Sequence, residues 1–260
     1  MRLKFLEIIR SVARYAPLRA SLSKQFRQEK QKGLSMRELS VFDIIGPIMI
    51  GPSSSHTAGA LKIARVARML AQSKIASVNF QLYGSFAKTY KGHGTDRALV
   101  GGILGFETDD YRIRDSFRLA EEAGIEIIFM EMDTETDTNI HPNTVDIIIV
   151  EEDGRTSSLR GASVGGGEIE ITRINGCEIK YSGKNNAVII QQQDRPGVIA
   201  SIARVFEVFA VNIGYMSVFS KEKGGTAFSV LEIDGDLDAM GMEALLRQPY
   251  IESAVYIKVK

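Results

Sequence analysis

Along residues 57–71 the apolar side chains Ala60, Ile63, Ala64, Ala67, Leu70 and Ala71 recur three and four positions apart, which predicts an amphipathic helix. Residues 78–84 alternate and read as a strand. Residues 95–104 predict a second helix with Thr95 placed to cap it, and residues 117–123 a third that Gly124 ends. Residues 125–130 and 145–150 are strand-like. Residues 155–164, 168–174 and 178–181 read as further strands, set off by Gly165-Gly166-Gly167 and Asn175-Gly176. This mixture predicts an α+β domain.

Gly183-Lys184-Asn185-Asn186 is a polar joint, and a more regular pattern comes after it. A strand at 187–193, a turn at 194–197 and a helix at 198–209 precede strands at 213–221 and 226–234, a helix at 237–248 and a strand at 253–259. That order, βαββαβ, is the ferredoxin-like topology. The helix carries Ile199, Ile202, Ala203, Phe206 and Phe209 as a stripe able to cover a sheet. The chain therefore divides into a basic N-terminal extension at 1–38, an α+β domain at 39–183 and a smaller domain at 187–260.

Charge is uneven along the chain. Lys+Arg and Asp+Glu both number 32, yet residues 1–38 hold ten Lys+Arg against Glu7, Glu29 and Glu38, a net +7 that leaves −7 for the remainder. Overall neutrality gives no footprint for nucleic acid. No apolar run approaches the roughly 20 residues that span a bilayer, and no signal-peptide pattern is present, which suits a cytoplasmic protein. Leu3, Leu6, Ile9 and Val12 sit at helical spacing ahead of Pro17. This arm reads either as a surface- or partner-binding segment or as a leader upstream of Met36. The single cysteine, Cys177, excludes an internal disulfide and cannot by itself hold a cluster needing several thiolates.

The three histidines each fall in a dense polar segment rather than on an apolar face. His56 lies in Gly51-Pro52-Ser53-Ser54-Ser55-His56-Thr57-Ala58-Gly59, at the start of the first predicted helix. Free N–H groups at a helix start favour an anion by about 0.3–1 kcal/mol. With the Ser53, Ser54, Ser55 and Thr57 hydroxyls this is a cradle for a carboxylate; the same residues also read as an over-provided N-cap. His93 lies in Lys91-Gly92-His93-Gly94-Thr95-Asp96, read as a glycine-flanked loop before a helix, with Asp96 able to orient an imidazole or complement the helix dipole. His141 is followed by Pro142, Asn143 and Thr144, which supply a fixed turn and local hydrogen bonds. Gly165-Gly166-Gly167 is a bulge or a close approach to a ligand. The histidines are too far apart for a zinc motif, no metal ligands are assigned, and no dinucleotide or phosphate-loop fingerprint is present.

At these residues the chain closely resembles the beta chain of the iron–sulfur L-serine dehydratases. The stretch from Ser40 to Ala60, that from Gly84 to Asp96, His141-Pro142-Asn143-Thr144 and Gly165-Gly166-Gly167-Glu168-Ile169 carry the likeness in the family's order. Asp194-Arg195-Pro196-Gly197 resembles the first turn of an ACT domain. The likeness covers about residues 40–260 and leaves residues 1–38 outside it.

The resemblance implies a serine dehydratase beta-type domain followed by ACT. It implies deamination of L-serine to pyruvate and ammonia at a [4Fe–4S] cluster whose cysteines come from an alpha subunit. It implies His56, His93 and His141 as catalytic residues, and Ser53, Ser54, Ser55, Thr57, Thr95, Asp96, Asn143 and Thr144 around the substrate. In the ACT domain, backbone N–H groups at Asp194, Arg195, Gly197 and Val198 suit a ligand carboxylate, and Asn212 beside Ile213 an amine, across a dimer interface. The other reading is a non-catalytic serine-sensing module, of the kind joined to some phosphoglycerate dehydrogenases. The three histidine motifs weigh against it.

Overall fold

The computed structural model describes residues 48–132, 140–220 and 222–259. The readings made for residues 1–38 and for the motif residues before Ile48 lie outside these.

Alternation builds the first sheet. In β1 (Ile75–Leu82) Val78, Phe80 and Leu82 are buried, and in β3 (Thr144–Glu151) Val145, Ile147 and Ile149 are. With β2 (Glu126–Glu131), β4 (Thr156–Gly165), β5 (Glu168–Ile174) and β6 (Cys177–Tyr181) they form six strands in the order β2-β1-β3-β4-β5-β6. Only the β1–β2 pair is parallel.

The apolar face of this sheet is covered by α1 (Ala60–Leu70), whose Leu61, Ile63, Ala64, Val66, Ala67 and Leu70 are buried. Beside it lies α3 (Thr95–Ile103). The two come close because Gly102 has no side chain: a Cβ there would collide with the Leu61 carbonyl oxygen. A short α4 (Ser116–Glu122) leads into β2.

Two local readings change. Residues 84–93 form a helix, α2 (Gly84–His93), where a loop around His93 is expected from the sequence. Only Phe86 and Ala87 of this helix are buried, so its apolar period is too weak to see. Gly94, at φ 70°, ends α2 in the left-handed conformation, and α3 starts at the next residue. Thr95 is thus the first helical residue and not a cap; its side chain is fully buried with Oγ1 unpartnered.

The C-terminal lobe runs β7 (Asn186–Gln193), α5 (Val198–Val208), β8 (Asn212–Ser220), β9 (Thr226–Asp234), α6 (Ala239–Leu246) and β10 (Ile251–Ile257). Its antiparallel sheet has the order β10-β7-β9-β8, the βαββαβ arrangement. The buried stripe of α5 is Val198, Ile202, Val205 and Phe206, with Ile199 and Ala203 turned outward, a rotation from the stripe read in the sequence. These side chains pack on Val188, Ile190, Leu231 and Ile233.

The other face of this sheet is also largely covered. Ala187, Ile189, Phe228, Val230 and Ile257 belong to the same buried cluster as α1 and the six-stranded sheet. Between the lobes Tyr181 is fully buried and its hydroxyl donates to the Asn185 carbonyl at 2.9 Å. The Asn185 amide in turn donates to Glu232 at 2.8 Å.

Candidate active site

Ser53 is extended (φ −141°, ψ 125°) and caps the turn after it, its Oγ accepting from the His56 N–H at 3.2 Å. Ser54–Gly59 is then one π-helical turn before α1 begins, a widened turn of the kind that often marks functional sites. The Thr57 hydroxyl donates to the Ser53 carbonyl, so Thr57 is spent on holding the turn. Gly59 lets the turn lie against β4: a Cβ there would collide with the hydroxyl of buried Ser163.

The turn presents the His56 ring to three hydroxyls. Nδ1 lies 3.2 Å from Ser55 Oγ and 3.4 Å from Ser53 Oγ, and Nε2 lies 3.1 Å from Ser85 Oγ. Phe86 meets the ring edge to face at 5.3 Å between centroids, and His93 does so at 4.8 Å. Burial, and then the charge of His93, hold the His56 pKa below its ordinary value. His93 ends α2 and is exposed; among the described residues its ring makes the His56 contact and no hydrogen bond.

His141 is exposed, and its Nδ1 accepts from the Asn143 N–H at 3.1 Å. Its loop borders the site through the next residue. The Pro142 carbonyl accepts from the N–H groups of Ser85 (2.7 Å) and Phe86 (3.2 Å) and so caps α2. Asn143 and Ser163 exchange hydrogen bonds, Asn143 Nδ2 donating to the Ser163 carbonyl and Ser163 N–H to the Asn143 carbonyl. Thr144 is buried, and its carbonyl accepts from Tyr83 N–H. The Asp96 carboxylate accepts from the Arg97 N–H at 2.8 Å rather than from an imidazole, and burial raises its pKa. The three glycines 165–167 all have positive φ and turn β4 into β5, with the Gly167 carbonyl accepting from Lys62 Nζ.

Sequence reasoning does not reach Ser85, Phe86 and Pro142 as site residues. Their one signal is their place inside the segments around His93 and His141.

The residues read as a ligand site in the C-terminal lobe are separate from this cluster. The Asp194 carboxylate accepts from Gly224 N–H at 3.3 Å and ties the turn to the β8–β9 hairpin. It does not cap α5, whose N-cap is Gly197 in the left-handed conformation. Arg195 is exposed, its carbonyl accepting from Val198 N–H. Asn212 opens β8, one residue before the strand start read in the sequence, and donates to Asp234 at 2.6 Å, with Ile213 next in the strand.

A family model described as serine dehydratase beta chain matches residues 40–173, a stretch that contains the whole histidine cluster. The chain belongs to that family. Within it, the "Probable L-serine dehydratase, beta chain" of Bacillus subtilis (strain 168) is 46% identical over 216 residues, covering 83% of this chain and 96% of that one. The "L-serine dehydratase, beta chain" of Peptoniphilus asaccharolyticus is 42% identical over 224 residues, 86% of this chain and all of its own length. Further off, a D-3-phosphoglycerate dehydrogenase of Bacillus subtilis (strain 168) is 27% identical over 75% of this chain and 37% of that protein.

Cys177 is the sole cysteine, and no group of three or more His, Cys, Asp or Glu among the described residues could hold a metal ion. These donors do not fit a thiolate-held iron–sulfur cluster. Among the described residues no helix is long and apolar enough to cross a membrane.

Proposed function

We propose that this chain is the beta chain of an L-serine dehydratase and contributes half of the active site. L-Serine loses its Cα proton and hydroxyl as water; the resulting aminoacrylate tautomerises to an imine and hydrolyses to pyruvate and ammonia. A companion alpha chain supplies the cysteines for a [4Fe–4S] cluster, since this chain's donors do not fit one. The part of this chain is to bind the substrate and move its proton.

The observation that carries the reading is the His56–His93 pair at a serine-rich helix start. The His93 ring is exposed and makes no hydrogen bond among the described residues, which suits it to take the Cα proton. Burial disfavours the charged form of His56, which leaves His93 able to accept that proton without a cation already beside it. The Ser53, Ser54 and Ser55 hydroxyls and the N–H groups of the π-helical turn hold the carboxylate. Mixing the chain with the alpha chain under anaerobic conditions should give serine-dependent pyruvate formation, with neither chain active alone. A mixture that forms no pyruvate while binding serine would favour the sensor reading, to which the phosphoglycerate dehydrogenase relative lends its support.

We further propose that residues 187–260 are an ACT domain that binds L-serine across a dimer of such lobes. The βαββαβ order and the turn at Asp194-Arg195-Pro196-Gly197 support it. Asn212 is engaged by Asp234, so a ligand amine would have to compete for it. Serine titration of the full chain by calorimetry, for wild type and Asn212→Ala, tests this. No binding in either would leave the lobe as an assembly module.

A further inference from the structure

Ser85 Oγ stands 3.1 Å from His56 Nε2 and is 29 residues away in sequence. Its position is over-determined. Gly84 has φ 52° and packs so closely on the His141 loop that a Cβ would lie 2.8 Å from the Pro142 carbonyl oxygen. Ser85 N–H donates to that same carbonyl at 2.7 Å, and the Thr89 hydroxyl donates to the Ser85 carbonyl at 2.7 Å. The next residue, Phe86, is fully buried against the His56 ring. A hydroxyl held this firmly against one ring nitrogen restricts which nitrogen carries the proton.

We propose that Ser85 is a positioning residue that fixes His56 as the Nε2–H tautomer, its hydroxyl oxygen accepting that proton while Nδ1 faces the Ser53 and Ser55 hydroxyls as an acceptor. This rests on the dehydratase reading for its kinetic consequence and on the geometry alone for the tautomer. A neutral imidazole has one donor and one acceptor nitrogen. The Nδ1 side has two hydroxyls, 3.3 Å from one another, and the Nε2 side has one. Ser53 Oγ already accepts from the His56 N–H, which frees its own proton. Without substrate the protons then run in one direction. His56 N–H donates to Ser53, Ser53 to Ser55, Ser55 to Nδ1, and Nε2–H to Ser85. Such a one-way chain polarises itself and is stronger than its separate bonds. The opposite tautomer would reverse the run on the Nδ1 side, so that Ser55 and the His56 N–H both donate into Ser53 Oγ and the one-way chain is broken there. By locking His56 in place Ser85 also keeps its ring edge-on to His93, so that it acts on the reaction through His56.

The test uses the full chain labelled with ¹⁵N-histidine, whose three histidines are separated by His93→Gln and His141→Gln. Two-bond ¹H–¹⁵N spectra above neutral pH should give wild-type His56 a protonated-type Nε2 and an acceptor-type Nδ1. In Ser85→Ala the two nitrogens should move toward averaged values with the amide spectrum intact, and Ser85→Thr should restore the pattern. With the alpha chain present, Ser85→Ala should lower kcat about 10- to 100-fold, the range lost when the partner that orients a metal-bound histidine is removed and taken here by analogy, with KM nearly unchanged. A His56 pattern unaltered in Ser85→Ala, or a wild-type Nδ1–H form, overturns the proposal. A wild-type complex with no dehydratase activity would count against the function reading and leave the spectra to decide the tautomer.

Discussion

The imidazole of His93 stands edge-on to that of His56, with centroids 4.8 Å apart and planes at 88°. The two are not equivalent. His56 is wrapped by hydroxyls on both nitrogens, whereas His93 lies exposed at the end of α2. If His93 is the base, His93→Gln in the assembled enzyme should lower kcat by about 100-fold or more, in the range general-base groups contribute. Ser53→Ala and Ser55→Ala should chiefly raise KM, because a carboxylate contact is made in ground and transition states alike. Steady-state kinetics on the four proteins checks this. A His93→Gln enzyme with wild-type kcat would remove it from the chemistry.

The same pair makes a prediction about pH. Burial comes first and the His93 charge second in lowering the His56 pKa below 6.5. Removing the His93 charge should therefore move the His56 midpoint part of the way back up, and NMR titration of His93→Gln reads it directly. Stability changes with a definite sign. As pH falls through about 6.5 the unfolded chain binds this proton before the folded one does, so stability declines until the folded pKa is reached and then levels off. Urea unfolding at pH 7.5 and 5.5 should show a smaller acid loss for His56→Gln than for wild type. Equal losses would mean that His56 titrates alike in both states.

Much of the fold is legible in the sequence because burial alternates or recurs wherever a face is covered. Val78, Phe80 and Leu82 announce β1, and the βαββαβ order of residues after 186 can be read from apolar runs and turn residues alone. The features that do not show have local causes. Helix α2 exposes Lys88, Lys91 and His93 and ends among glycines, so it looks like a loop. Within the site, the serines and His56 share one turn and can be seen together. Ser85 meets His56 only because the Pro142 carbonyl pins the start of α2, a contact between distant segments that no period encodes.

Removal of residues 184–260 would not leave the first lobe intact. Ile189, Phe228, Val230 and Ile257 share a buried cluster with Val66 and Leu70 of α1. Truncation would bare that surface and withdraw the Asn185 carbonyl from buried Tyr181. A chain ending at residue 183 should be poorly soluble, and Ile189→Ala should destabilise the whole protein by about 2–5 kcal/mol, the usual cost of emptying a packed core site. Both lobes should unfold in one transition, followed by backbone and tyrosine signals in urea. Two separated transitions would show that the shared core does not couple them.

Just upstream of Ser85, Tyr83 joins an ion pair that ties the start of α2 to the sheet. Arg160 of β4 faces Asp146 of β3 across the strands and donates twice, from Nε to Oδ1 and from Nη2 to Oδ2, both at 2.6 Å. The Tyr83 hydroxyl donates to Asp146 at 3.0 Å and accepts from Arg160 at 3.1 Å. Arg160 and Asp146 are each less than one-fifth exposed, so water cannot readily replace a lost partner. Two-point pairing also makes lysine a poor substitute for arginine here. Arg160→Met should leave the Asp146 carboxylate with the tyrosine alone and cost about 1.5–3 kcal/mol, as hydrogen bonds to charged groups do. Asp146→Asn with Arg160→Met should recover part of that loss, because no half-buried charge is then left unpaired. Denaturant midpoints for the single and double variants test the pair. A double variant less stable than the single one would show that the loss comes from packing around the long arginine side chain and not from the stranded carboxylate.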